Sequence, residues 1–591
     1  MCPLILSWIY KGLLCPQERD DSPTPCWRTV FQASGVYPSR KTRRVGHRTR
    51  QNQVHRGIHH FLYQRSLPEA VKPYNMESRK AGHRTRRDLI ATVGFSFSSP
   101  ICVASIRLLC AMKKILLIDT NTTPFNEAFP VYPIGLDYIE GAIKKEGPYK
   151  THILDLTRAG GPLSFPDFTQ RKKKSLEIIK KILSGEHWDI IGLSLRNIDS
   201  TYPVGHGDPR LHYYLPDLLE YVDCVRACAD KNAVIVLGGT AFSMMPEVFM
   251  ERRRENGYGI LGAAESSFPS VIGAVLAGEP VPRITRTATP GIGMLQNRSL
   301  IKKYMDMPVG ESTFGIRTRL GCGQFCGYCP YPLISGPGQY LKGIDQVLEE
   351  IRLLRSVRRE AGSGQPVRVM FADDIFNRPL AHAKEILRAM IEENEIPGSW
   401  HAYLDPKNID EEFVELILRT NGWSRLVSAP ASGGRSLRGY HFLFDIESGS
   451  SRMLKMIGKS FNMEDIMVSV NTFKKVARRF EEDPAVASVQ FGFHVLLGYP
   501  GEDRESVKET CCLINELDPA HVQVQVGVRV YPKTRLAGET KGILWKTEED
   551  LIKPLFADMN IQDTLDWLKM YLHKRYTCIE QKGNMIMISR A

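Results

Sequence analysis

Three cysteines stand at a spacing that can bind metal: Cys322-Gly-Gln-Phe-Cys326-Gly-Tyr-Cys329. With 13 Cys in 591 residues, a C-x3-C-x2-C run is expected by chance roughly 0.006 times. Three thiolates on one short loop can ligate three irons of a [4Fe–4S] cube and leave the fourth iron open to an incoming chelating ligand. A structural zinc site needs a fourth donor close by, and the next cysteine after Cys329 is Cys511. Cys224 and Cys228 lie one helical turn apart, but no second pair completes a metal site, so they read as core thiols.

Other chemistry-bearing residues sit just after apolar runs. Phe371-Ala-Asp373-Asp374-Ile-Phe-Asn377, Ile446-Glu447-Ser448-Gly449-Ser450 and Leu497-Gly498-Tyr499-Pro500-Gly501-Glu502 each follow one. Taken singly, Asp374 and Glu502 would cap the helices that follow, and Pro500-Gly501 would be a turn. Toward the N-terminus come Ser194-Leu-Arg196-Asn197, Gly238-Gly239-Thr240 and Gly262-Ala-Ala-Glu265-Ser-Ser-Phe268. A double glycine after a strand lets a ligand approach the backbone, and Thr240 adds a hydroxyl. His401, Tyr403 and His494 lie within apolar runs, where alternation turns some of them inward.

These residues need elements to position them. Between Met112 and about residue 283, apolar strands at Ile115–Ile118, Ile153–Leu156, Ile190–Leu195, Val234–Leu237 and Tyr258–Leu261 alternate with helical stripes. That pattern predicts an α/β domain with an open parallel, Rossmann-like sheet covered on both faces, with ligands outside the carboxyl ends of its strands. From about 311 to 535 a second series reads Phe314–Leu320, Val367–Ala372, Trp400–Leu404, His441–Ile446, Val489–Leu497 and Val522–Val530. Six strand–helix units suit a partial (β/α)6 barrel with its functional groups at the carboxyl ends. Residues 284–310 read as a linker. Residues 536–591 read as a helical C-terminal region closing the barrel's open side.

In this order the motifs resemble those of the cobalamin-dependent radical S-adenosylmethionine (SAM) enzymes, over about residues 112–535. Pro133-Ile-Gly-Leu-Asp-Tyr-Ile-Glu140, Ile191-Gly-Leu-Ser194, Val236-Leu-Gly-Gly239 and Gly262-Ala-Ala-Glu-Ser-Ser-Phe268 look like that family's cobalamin-binding domain. The Cys322 loop, with Tyr328 before its third cysteine, looks like the radical SAM motif. The resemblance implies a [4Fe–4S] cluster on Cys322, Cys326 and Cys329, and cobalamin near Arg196, Asn197, Gly238, Gly239, Thr240 and Glu265. It also implies SAM near Tyr328, Asp373, Asp374, Glu447, Ser448 and Gly498. Tyr403 and Tyr499 are the candidates for catalytic groups near the substrate. The D-x-H-x-x-G motif, whose His ligates cobalt in classical cobalamin domains, is absent, which implies base-off cobalamin without a protein lower ligand. Asp373 and Asp374 replace a Gly-Gly-Glu that binds the SAM amino group; either acid could do that work or approach the open iron. Ser194–Asp199 and Phe371–Asn377 look nearest to the tryptophan 2-C-methyltransferase-like branch.

The activity so implied is methyl transfer from SAM via methylcobalamin to a carbon (or phosphorus) centre of a small-molecule or peptide substrate. A low-potential electron donor of the ferredoxin or flavodoxin type would serve it, in a reducing cytoplasm. Non-methylating radical SAM rearrangement or oxidative cyclisation is the alternative on the same two domains. A further alternative, a nucleic-acid-binding protein, draws on the net charge of +13. Residues 1–111 hold 18 Lys and Arg against 6 Asp and Glu, which leaves a net of +1 for the rest of the chain. That basic segment lacks sustained periodicity, repeats Gly-His-Arg-Thr-Arg at Gly46–Arg50 and Gly82–Arg86, and has no regular interleaving of aromatics. It reads as a disordered extension or a mis-assigned start, with Met112 opening the first strand. Pro100 and several serines interrupt the apolar stretch Leu89–Ile106, so neither membrane nor nucleic acid is expected as a partner.

Overall fold

The computed structural model describes residues 112–120, 132–156, 168–196, 198–199, 213–253, 255–287, 291–306, 313–336, 338–362, 366–428 and 436–590. The expectations for residues 1–111 and for Asn197 lie outside them. In the first half the apolar runs become β1 (Lys114–Asp119), β2 (Lys150–Asp155), β3 (Ile190–Ser194), β4 (Val234–Gly238) and β5 (Gly257–Leu261). A further strand, β6 (Ile284–Arg286), pairs parallel to β5, so the first residues of the expected linker belong to this sheet. All its pairings are parallel, in the order β2-β1-β3-β4-β5-β6. The order reverses between β1 and β3, the place where open sheets of this type leave a crevice.

Strand alternation divides the core. Ile115 and Leu117 of β1 pack with helices Ile134–Glu146 and Ser267–Leu276 on one face. Leu116 and Ile118 pack with helices Phe168–Gly185 and Leu215–Cys228 on the other. Gly192 of β3 is required by this packing, since a Cβ there would stand 2.9 Å from the Leu117 side chain and 3.1 Å from the Phe268 ring.

The second half begins with β7 (Thr313–Ile316), β8 (Arg368–Phe371) and β9 (Ser399–Ala402), parallel neighbours in that order. It continues with β11 (Ser436–Glu447), β12 (Val486–Leu497) and β13 (His521–Val526), again parallel. Between the two trios, β10 (Ser424–Ser428) runs antiparallel to β11. A parallel bridge joins Trp400 to Gly422, and the His441 N–H donates to the Trp423 carbonyl (3.0 Å), which carries the arc across the gap. Helices such as Ile344–Glu360, Leu380–Glu392 and Met463–Phe480 connect the strands and cover the arc.

The expected all-helical C-terminal region is corrected at its end. After helix Ile561–Tyr571 come β14 (Cys578–Lys582) and β15 (Met585–Ser589), a hairpin whose second strand pairs antiparallel to β13. The outer edge of β13 carries unpaired backbone groups, and a strand satisfies them where a helix cannot. Ile586 and Ile588 bury their side chains completely in doing so.

Polar side chains lock the two halves together. The Tyr138 hydroxyl, on helix Ile134–Glu146, accepts from the Arg317 N–H and from Lys342 Nζ, both at 3.1 Å. Lys342 also pairs with Glu350, with neither side chain exposed, and Glu350 accepts from the Leu295 N–H (2.8 Å). Asp137 accepts from the backbone N–H groups of Gln296 and Asn297 (3.1 and 3.0 Å). Asp199 and Arg529 form a second buried cross-link at 2.9 Å. Removing one partner of a buried pair strands the other. Lys342→Met should therefore lose roughly 3–5 kcal/mol, read as a lowered urea midpoint, and Lys342→Met/Glu350→Gln should regain part of that loss.

Candidate active site

One cavity of about 410 Å³ opens where the carboxyl ends of both strand sets face each other. Asp119, Ser194, Arg196, Gly238, Gly239, Thr240 and Glu265 line it from the first sheet. Cys322, Cys326, Tyr328, Cys329, Asp373, Asp374, Tyr403 and Glu447 line it from the second half. Helix Ile134–Glu146 contributes Ile134, Leu136 and Ile139 to the wall.

The cysteine loop leaves Arg319-Leu320, which pairs with Tyr340-Leu341. It turns at Gly321 (φ 90°), where a Cβ would stand 1.7 Å from the Gly338 carbonyl oxygen, so only glycine fits. The Gly327 N–H donates to the Ile457 carbonyl and the Leu536 N–H to the Gly327 carbonyl, both at 2.8 Å, which fixes the loop between two helices. All three cysteines are free thiols. Among the described residues no three His, Cys, Asp or Glu side chains converge on a single metal ion. A cube asks for something else, one thiolate on each of three separate irons, and a loop with three thiols on one cavity wall has that donor set. Burial pushes the Cys322 thiol up to about 12, a cost that bonding to iron reverses.

Next to Cys329, the Tyr328 hydroxyl donates to Glu447 Oε1 (2.8 Å). Lys459 Nζ reaches the same oxygen at 2.7 Å and the Tyr328 hydroxyl at 3.2 Å. Burial is the largest influence and works to raise the Glu447 carboxyl, but Lys459, His494 and the Tyr328 hydroxyl together hold the acid below its usual range. Glu447 sits at φ 64°, a strained conformation for this side chain. Its Oε2 is buried with no hydrogen-bond partner.

The two adjacent aspartates differ. Asp373 accepts from the Thr318 and Arg319 N–H groups (2.7 and 2.9 Å) and from the Thr318 hydroxyl, and burial raises it to about 6. Its oxygens are committed to holding the strand end. Asp374 receives only a long bond from the Ser335 hydroxyl (3.4 Å), while its Oδ2 is buried and unpartnered. Across the cavity, Arg317 pairs with Glu265 at 3.0 Å, and Glu265 Oε2 has no partner. Arg196 Nη1 is likewise buried without one. Gly239 (φ 96°) lets its loop lie against the Leu195 carbonyl, 2.4 Å from where a Cβ would be.

Three sequence candidates do not reach the cavity. Tyr499 packs in an apolar cluster with Met453, Leu496 and Val528, and its hydroxyl donates to Glu539 (2.6 Å). Ser448 is fully buried and accepts from the Ser450 N–H (3.1 Å), capping the strand end. Gly498 (φ 100°) is the turn where two strand ends abut, a Cβ there falling 3.1 Å from the Gly527 nitrogen. Conversely, Arg317, Asp445 and Lys459 line the cavity and have no motif of their own.

No protein-family model matches the chain. An uncharacterised methyltransferase of Pyrococcus horikoshii is 25% identical over 426 residues, 68% of this chain and 77% of that protein. Tryptophan 2-C-methyltransferase of Streptomyces laurentii is 21% identical over 490 residues, 69% of this chain and 72% of that one. A tRNA-2-methylthio-N(6)-dimethylallyladenosine synthase of Clostridium tetani matches at 28% over 203 residues, so the chain spans 38% of that relative's length. Among solved structures, the radical SAM methyltransferase TsrM of Kitasatospora setae, with cobalamin and a [4Fe–4S] cluster bound, superposes with a TM-score of 0.54. It is 19% identical, covering 73% of this chain and 79% of TsrM. In sequence and fold the chain therefore resembles the cobalamin-dependent radical SAM methyltransferases.

Two outcomes follow. Cys326→Ala should bind far less than the roughly four irons per chain of a reconstituted cube, measured as iron and sulfide content. Burial, with Arg368 adding to it, lowers the pKa of cavity-lining His401 to about 3. Below its ordinary value of 6.5 the unfolded chain takes up a proton that the folded chain refuses, so stability is lost as the pH is lowered across that window. His401→Gln should flatten the slope of urea midpoint against pH between 6.5 and 4.

Proposed function

We propose that this protein is a cobalamin-dependent radical SAM methyltransferase, its first sheet the cobalamin domain and its strand arc the radical SAM core. The observation that carries the reading is the shared cavity: the glycine-rich strand ends and the three-cysteine loop line one chamber. The relatives' names point to methyl transfer.

Bound together, cluster, SAM and cobalamin supply methyl-group and one-electron chemistry that no side chain supplies. The chain's own residues place them. Cys322, Cys326 and Cys329 provide three thiolates. Asp374 Oδ2 is the carboxylate oxygen available to the open iron or to a SAM ammonium, Asp373 being saturated. Tyr328 and Glu447, with the unpartnered Oε2, would meet the adenosine. Gly238 and Gly239 line the side of the chamber where a corrin ring would lie, and Arg196 with Glu265 offers buried polar atoms there. The loop from Ser194 to Asp199 contains no histidine, which matches cobalamin bound without a lower ligand. His401, Tyr403 and Asp445 line the chamber on the strand-arc side and would face the substrate. Among the described residues no helix is long and apolar enough to cross a membrane. Free thiols and an oxygen-sensitive cluster favour a reducing cytoplasm.

The test is anaerobic reconstitution of the full chain with iron, sulfide and hydroxocobalamin, followed by titanium(III) citrate and SAM. S-adenosylhomocysteine should form to about one equivalent per bound cobalamin before any substrate is added, since cobalamin, when bound, would supply a methyl acceptor. Tryptophan is the first substrate to try, being bound in a TsrM structure. Cobalamin failing to co-elute with the chain, or SAM yielding only 5′-deoxyadenosine, overturns the methyltransferase reading.

A further inference from the structure

The interior of the strand arc holds polar side chains in register. β11 and β12 pair Asp445 with His494, and β12 and β13 pair His494 with Gln523, which makes one row across parallel strands. The residues on either side of the row, Phe444 and Ile446, Phe493 and Val495, Val522 and Val524, all belong to the apolar core. Alternation therefore turns the row the other way, toward the space the arc encloses, and Asp445 reaches the chamber wall. His494 is 1% exposed, and neither of its ring nitrogens has a hydrogen-bond partner. Gln523 Oε1, beside it in register, is also buried without one. His494 Nδ1 stands 3.3 Å from Asp445 Oδ1, at ion-pair distance. Buried polar groups left unsatisfied cost stability, and they are retained where a bound molecule completes them.

Charge says what that molecule brings. Glu447 and Asp405 also line this half of the chamber, but Glu447 pairs with Lys459 at 2.7 Å and Asp405 pairs with Arg378. Lys459 is committed to Glu447 and to the Tyr328 hydroxyl. Among the described residues Asp445 meets no lysine or arginine, and its one ionisable partner is the His494 ring. A largely buried carboxylate without a fixed cation favours a ligand that supplies one. We propose that Asp445, held by His494, binds an ammonium group of the methyl-accepting substrate, which makes that substrate an amine. The inference rests on the methyltransferase reading and deepens it. With the ligand in place, His494 Nδ1–H donates to Asp445 Oδ1 and leaves Oδ2 for the ammonium; no covalent bond forms or breaks. His494 does not line the chamber and acts through Asp445, so it is a positioning residue. Met370, Leu404 and Phe461 give the same chamber apolar wall for the body of the substrate.

The experiment measures binding by isothermal calorimetry on reconstituted full chain. Tryptamine is the amine probe, and the propyl indole that carries a methyl group in place of its ammonium is the neutral counterpart. Wild type should bind tryptamine about tenfold more tightly, or better. Asp445→Asn should remove that preference while its iron content matches wild type. His494→Leu should weaken tryptamine binding about tenfold. His494→Asn, whose amide nitrogen takes the place of Nδ1, should restore most of the loss. The comparison of the two probes on wild type stands whether or not a variant folds. No binding of tryptamine, equal affinity of wild type for both probes, a preference that survives Asp445→Asn, or equal loss in both His494 variants overturns the proposal. Wild type that forms no S-adenosylhomocysteine instead overturns the methyltransferase reading, a result separate from any of these.

Discussion

The ammonium of Lys342 lies out of solvent between the Tyr138 hydroxyl and the Glu350 carboxylate, and one of those partners belongs to each half of the molecule. Such a group is tolerated only when its partners are fixed in place. Tyr138 therefore has one allowed position, and so does the helix that carries it. That helix covers one face of the first sheet and also walls the cavity. The Arg317 N–H bonded to Tyr138 belongs to the residue whose guanidinium crosses to Glu265. The facing of the two sets of strand ends thus follows from a few buried contacts.

Much of this architecture was legible in the residues. The inner runs of the first sheet, β1, β3 and β4, appear as strands because they are buried on both faces, which makes them continuous rather than alternating, whereas the edge strand β2 exposes Lys150 and His152. The cysteine loop was legible because its chemistry is local. The C-terminal hairpin was not, because Met585–Ser589 becomes a strand through the open edge of β13, a partner far away in the chain. Lys459 was missed for a similar reason. It follows the left-handed Gly458 at a helix end, where lysine is commonplace, and only the fold brings it to Glu447.

Neighbouring residues in one motif also take opposite roles, which a motif cannot reveal. Asp373 faces back into the Thr318 and Arg319 amides, and Asp374 keeps an oxygen free. Glu447 meets the cavity and Ser448 turns into the protein. Tyr499 had the right position at a strand end, but its ring fills an apolar cluster and its hydroxyl is taken by Glu539. At such strand ends the direction of each side chain depends on one or two backbone angles, of which the left-handed turn at Glu447 is the clearest case.

The pairing of β13 with β15 also bears on how the chain comes to be folded. His521–Val526 must wait for Met585–Ser589 before its outer edge is satisfied. While the chain is being made, that edge is an unprotected template for strands of other copies. Long-range closure of this kind is slow relative to local helix formation. Assembly of the cysteine-bearing half is thus exposed to misassociation late, after most of its secondary structure exists, and slower synthesis or lower expression temperature should favour the folded product.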